Sequence, residues 1–198
     1  MNGVNVYERL WKQESTIRRL ISDGYRDPEQ VIRILQEMII DDRKSLMVEV
    51  DETAVLYLVV DYARPLKKGI MAGRYDYVNK NVAEGNFPSG RTEKGKRKKK
   101  VAFRFFHPDK EVESDEALEQ IEGDGCRPAT LKELLSFGQA KPELQRQFPI
   151  IALGSIWVSP DGGRSVVGLW GDSKERRLTL SYFVRRWSRR HRFLGIVK

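Results

Sequence analysis

The chain has 198 residues, 40% of them hydrophobic and 32% charged, which is enough to bury at least one core. Its 36 Lys and Arg against 28 Asp and Glu give a formal charge of +8, which favours an acidic partner such as nucleic acid, an anionic glycan or a membrane surface. A single cysteine, Cys126, excludes an intramolecular disulfide framework and a multi-cysteine zinc cage.

Near the start, Val6, Leu10, Ile17, Leu20 and Ile21 recur close to helical spacing with charges between them, predicting an amphipathic helix over 4–21. Asp23-Gly24 stops it. Asp27-Pro28-Glu29 then offers an N-cap, a first-turn proline and an early acid before a second apolar face of Val31, Ile34, Leu35, Met38 and Ile39. Residues 1–45 thus read as a helical hairpin. Its two apolar stripes cannot hide on about 40 residues, so it is expected to dock on the rest of the chain or to form a homo-oligomer. No basic stretch followed by an apolar one opens the chain, and no window approaches the roughly 18 apolar residues of a membrane helix. The expectation is a cytoplasmic protein without a membrane partner.

Residues 46–198 read as the main domain. Ala54 to Val60, AVLYLVV, is a central-strand candidate. Pro65 to Met71 predicts a short helix, Tyr75 to Val78 fits either state, and Asn86 to Gly90 is a turn-rich break. The run RTEKGKRKKK from Arg91 has no apolar residue, predicting a basic mobile loop at about 89–100. If the partner is nucleic acid, Lys94, Lys96, Arg97, Lys98, Lys99 and Lys100 are its phosphate contacts.

Val101 to Phe106 alternates as a strand and ends at His107-Pro108. A helix from Ser114 through Ile121 closes at Gly123-Asp-Gly125, and Thr130 with Glu133 forms a capping box for a helix over Leu131 to Phe137 that stops at Gly138. After Pro149, short strands are predicted at 150–153, 155–158, 166–170, 178–183 and 193–197, with a turn at Ser159 to Gly163. Their succession reads as a meander.

Catalytic constellations are scarce. His107 and His191 stand in unrelated contexts, and Asp161-Gly-Gly163 and Gly123-Asp-Gly125 lack the ligands or following helix of calcium and phosphate loops. Ser155, in LGSIW, lacks the glycine two residues on that a nucleophile elbow needs. Asp109, Glu111, Glu113 and Asp115 alternate along a polar stretch with nothing apolar to raise a pKa. The expectation is a protein that is not an enzyme and takes no cofactor or metal.

Surface recognition remains. Trp170, Tyr182, Phe183 and Trp187 interleave with Arg176, Arg177, Arg185, Arg186, Arg189, Arg190 and Arg192, combining planar apolar area with forked donors. This is hot-spot composition, yet the same groups stack bases and hold phosphates, and the tryptophans also fit a core. Composition leaves these readings open.

Gly125 to Gly138, Phe148 to Trp157, Trp187 and Arg192 to Lys198 resemble a family of uncharacterised bacterial proteins, with Val60-Asp-Tyr62, Gly73 to Asn79 and Asn86-Phe-Pro88 extending the match. More distantly, RPATLKE at Arg127 to Glu133 resembles an element of formylglycine-generating-enzyme-like, C-type lectin-like domains. The resemblance implies an α+β, C-type lectin-like mixed domain in which the first strand, Val55 to Val60, pairs with the last. Two helices would fall in its first half and a loop-rich meander in its second.

Within that class, the variable proteins of diversity-generating retroelements carry a changeable ligand-binding face. By resemblance it falls on Trp170, Asp172, Ser173, Lys174, Arg176, Tyr182, Val184, Arg185, Arg186, Trp187, Ser188, Arg189, Arg190 and His191. The paired cysteines of the oxidase-like enzymes and the Glu-Pro-Asn and Trp-Asn-Asp calcium elements are missing, so neither formylglycine chemistry nor calcium-dependent sugar binding carries over. The reading is a non-enzymatic display protein for a protein or glycan ligand, possessing a loop from Val184 to Arg192 that joins neighbouring strands. The rival is a basic nucleic-acid-associated protein that uses 91–100 and 176–192.

Overall fold

The computed structural model describes residues 55–87 and 98–198. The hairpin expected over 1–45, and Lys94, Lys96 and Arg97, lie outside the described residues. Described elements are β1 (Leu56–Asp61), α1 (Leu66–Gly73), β2 (Tyr77–Val78), β3 (Lys98–Phe106), α2 (Ser114–Gly123), β4 (Cys126–Pro128), α3 (Leu131–Ala140), α4 (Leu144–Gln147), β5 (Ile150–Val158), β6 (Arg164–Gly171), β7 (Arg176–Tyr182) and β8 (Arg192–Val197). Together they make a mixed α+β domain. Its sheet runs β1-β3-β8-β5-β6-β7-β2, with β4 also pairing with β8. Among the described residues no helix is long and apolar enough to cross a membrane.

Strand alternation builds two cores. Ile150, Ala152, Leu194 and Ile196 face one side of the sheet, where α1, α3 and α4 add Leu66, Leu134, Phe137 and Leu144. Ile151, Leu153 and Phe193 face the other, where α2 contributes Ala117 and Ile121. Strands covered on both faces read as near-continuous apolar runs, which is why 150–153 and 193–197 are so apolar.

The start of α3 shows how sequence fixes the frame. The Thr130 N–H donates to Glu133 Oε2 at 2.7 Å, as the capping box requires. The Leu131 N–H donates to Ser155 Oγ at 2.9 Å. Ser155 lies where the β5–β6 register slips, between Ala152 and Ile156, and the Gly154 N–H donates to Ala129 O at 2.9 Å. A Cβ on Gly154 would sit 2.6 Å from Pro128 O, so only glycine lets β5 approach this closely. The serine without a nucleophile elbow therefore holds a helix N-terminus.

Several expectations are corrected. The run at 54–60 is not a central strand: β1 ends the sheet order among the described residues, with Tyr57 62% and Val59 63% exposed. Its uniformly apolar sequence hides an alternation in which only Leu56, Leu58 and Val60 face the core. Nor does the first strand pair with the last, because β3 lies between them. β3 carries Phe103 and Phe105 on one face and Phe106 on the other, so it gains from an interior place that β1, with one wet face, does not need.

Lys98, Lys99 and Lys100 are not loop residues; they open β3 and pair with Asp61, Val60 and Val59. Pairing uses only backbone, so the ammonium groups stay exposed. Gly138 does not stop α3, which continues to Ala140. A Cβ there would meet Tyr75 Oη at 2.4 Å, so Gly138 serves close packing. Strands expected at 150–153 and 155–158 are one strand with an irregularity.

Candidate ligand-binding surface

β7 and β8 run parallel and are separated by β5 and β6. Phe183 to His191 is thus a crossover and does not join neighbouring strands as expected. It begins where Tyr182 stands opposite Ser165 and ends where Arg192 stands opposite Ile150, so it travels over the sheet face that α2 also covers. It contains turns and one isolated bridge, and no helix.

This crossover is pinned at both ends and in the middle. The Phe183 N–H donates to Arg164 O at 2.8 Å, and the Arg192 N–H donates to Pro149 O at 2.9 Å. Midway, the Trp187 N–H donates to Val112 O at 2.8 Å and the Val112 N–H returns to Trp187 O at 3.1 Å. The Trp187 side chain is fully buried; its indole N–H donates to Ser114 Oγ at 2.8 Å, and that hydroxyl donates to Phe183 O. Phe193 and His191 meet the indole edge-on, with centroids 5.8 and 5.2 Å away. His107 Nε2 lies 2.9 Å from Arg189 O.

Between these anchors, Arg185, Arg186, Arg189 and Arg190 are exposed, as is Val184 at 81%. Arg185 lies over the Trp187 ring, 5.1 Å from its centroid. Ser188 and His191 are half-buried and face each other, with Ser188 Oγ 3.2 Å from His191 Nδ1. Burial, opposed by the bond to the Ser188 backbone and reinforced by Arg185 and Arg192, holds the imidazole below its ordinary pKa.

The other half of the expected face lies elsewhere. Trp170, 36% exposed, is the penultimate residue of β6. Asp172 Oδ1 accepts the N–H groups of Lys174 at 2.7 Å and Glu175 at 3.0 Å, which closes the hairpin and holds that carboxyl below its usual range. Ser173 and Lys174 are exposed at its tip. Tyr182 and Val184 lie at the opposite end of β7, about 20 Å away at a strand's rise per residue. The expected face is thus two separate regions.

Two expected ligand contacts are buried. Trp187 is core, and Arg176 is 7% exposed. The Arg176 guanidinium donates to Gly73 O at 2.7 Å, Gly138 O at 2.8 Å and Gln145 Oε1 at 3.0 Å. Its position follows from alternation: residues 176, 178 and 180 share the inward side of β7.

Arg177 faces the other way. It stands opposite Trp170 on one strand and Tyr77 on the other, and its guanidinium lies 4.8 and 5.5 Å from their ring centroids. Glu175 pairs with it. Tyr77 was not foreseen, since a two-residue strand has no readable period. Alternation about Leu178 was the available signal for Arg177.

Arg127 and Glu133, in the segment that carries the distant resemblance, form a network with Tyr62 around the buried Glu133 carboxylate. Arg127 donates to the two carboxylate oxygens at 2.5 and 3.0 Å, and the Tyr62 hydroxyl donates to Oε1. Burial alone would raise the Glu133 carboxyl, but bonds from Arg127, the Thr130 backbone and Tyr62 hold it below the usual carboxylate range. All of its oxygen lone pairs are engaged in fixing α3. Among the described residues, no group of three or more His, Cys, Asp and Glu could hold a metal ion.

Comparison with protein-family models, with curated proteins and with solved structures finds no match to this chain.

Proposed function

We propose that this chain is a non-enzymatic recognition protein that presents arginines from the β7–β8 crossover to an acidic protein or glycan ligand, as the resemblance to C-type lectin-like variable proteins implies. The observation that carries this reading is the buried Trp187 in the centre of the crossover, flanked by four exposed arginines. A segment already fixed at both ends and its midpoint loses little entropy on binding. Guanidinium forks pair with carboxylates or sulfates bidentately and tolerate changes of partner. If sibling copies are diversified by a retroelement, Trp187 and Arg176 should stay constant while the exposed positions vary.

The test is a peptide-display selection on the full chain at about 0.15 M salt, where exposed charges are partly screened, with counter-selection on a variant carrying Ala at 185, 186, 189 and 190. Acidic sequences that bind wild type and not the variant support the reading. Enrichment of sequences that bind both equally refutes it. A second reading, a nucleic-acid-associated protein, draws on Lys98, Lys99 and Lys100, which project from a strand.

A further inference from the structure

We propose that the outer face of the β1–β3 pair is a platform for single-stranded nucleic acid, distinct from the arginine crossover. Residues directly opposite in an antiparallel pair share a face. Tyr57 stands opposite Ala102, Val59 opposite Lys100, and Asp61 opposite Lys98, so one side of this strand pair carries Tyr57, Val59, Asp61, Lys98, Lys100 and Ala102. Tyr57 and Val59 are 62% and 63% exposed, and the Lys100 ammonium lies 4.9 Å from the Tyr57 ring centroid.

The reverse side holds this face in place. Leu56, Leu58, Val60, Val101 and Phe103 pack into the main core, so alternation directs the platform residues outward. Lys98 and Lys100 recur at about 6.6 Å along the strand, comparable to the spacing of successive phosphates in an extended single strand. Lys98 also lines an open cleft with Arg64, Lys68 and Asp61, so three cations and one carboxylate continue this face around the end of β1.

Among the described residues, Asp61 is the carboxylate that faces Lys98 across the pair. It ends β1, where its Oδ1 accepts the Ala63 N–H at 3.1 Å, and Asp124 pairs with Arg104 farther along β3. An exposed phenol ring beside spaced ammonium groups fits a ligand with both planar faces and backbone charges. A duplex hides its base faces, and an acidic peptide has none.

The experiment measures anisotropy of labelled single-stranded oligonucleotides of about 12 nucleotides, with the corresponding duplex and polyglutamate as comparators, on the full chain across a salt series. Single strands should bind tighter than either comparator. Tyr57→Ala should weaken binding by about tenfold, as loss of one stacked base does, without altering the salt slope, while Tyr57→Phe should keep wild-type affinity. Lys98→Ala and Lys100→Ala should each reduce the slope of log affinity against log salt by about 0.7. Replacing the four crossover arginines should leave the Tyr57 dependence intact. The proposal is overturned if no oligonucleotide binds at low salt, if the duplex or polyglutamate is preferred, if Tyr57→Ala and Tyr57→Phe bind alike, or if the lysine variants keep the wild-type slope. The Tyr57, Lys98 and Lys100 side chains are all exposed, and urea midpoints equal to wild type check that the fold is retained.

Discussion

Replacing Trp187 with Phe tests whether the crossover is pinned by its centre. The indole N–H donates to Ser114 Oγ at 2.8 Å, and both groups are buried. Losing that bond, while Ser114 still donates to Phe183 O, costs about 1 kcal/mol. Removing roughly 40 Å³ of indole from a packed site costs about 1 kcal/mol more at about 24 cal/mol per Å³. The sum, about 2 kcal/mol, is a factor of about 30 in the opening equilibrium of the crossover. Limited trypsin digestion under native conditions reads that equilibrium directly when reclosing outpaces cleavage, since Arg185, Arg186, Arg189 and Arg190 are all sites. Cleavage after these residues, followed by fragment mass, should accelerate about 30-fold in Trp187→Phe. Acceleration of less than about threefold, with an unchanged urea midpoint, would show that the end anchors alone hold the segment.

Glu133→Gln should cost about 2–4 kcal/mol in urea unfolding, near the low end of the range for breaking a buried ion pair because Arg127 is 40% exposed. Since the carboxyl is held below its usual range, its contribution is present above about pH 4.5 and is lost as pH falls through the lowered pKa, so this variant should also flatten the acid limb of stability. Gly154→Ala should destabilise by about 2–3 kcal/mol, because the new Cβ would lie 2.6 Å from Pro128 O and 2.7 Å from Ala129 O, backbone atoms that cannot rotate away; a cost under about 1 kcal/mol would mean that β5 shifts freely. His191, with its pKa lowered by burial and by Arg185 and Arg192, binds fewer protons folded than unfolded below about pH 6.5. Stability should therefore fall as pH drops from that value, and His191→Gln should remove this part of the slope in urea midpoints taken across the range.

Two kinds of information separate in this chain. Capping and alternation act over a few residues, so the sequence alone determined the α3 start at Thr130–Glu133, the strands around 101–106 and 192–197, and the outward direction of Arg185 and Arg186 from an irregular connection. It also contained, unread, the inward parity of Arg176 beside Leu178. What only the tertiary structure decided was which strands meet. The insertion of β3 between β1 and β8, the parallel pairing of Tyr77 with Arg177, and the seating of Trp187 against Ser114 join residues 37 to 100 positions apart. A periodic pattern states that a side chain needs cover, but the partner that supplies it depends on where the chain returns, and no local propensity encodes that return.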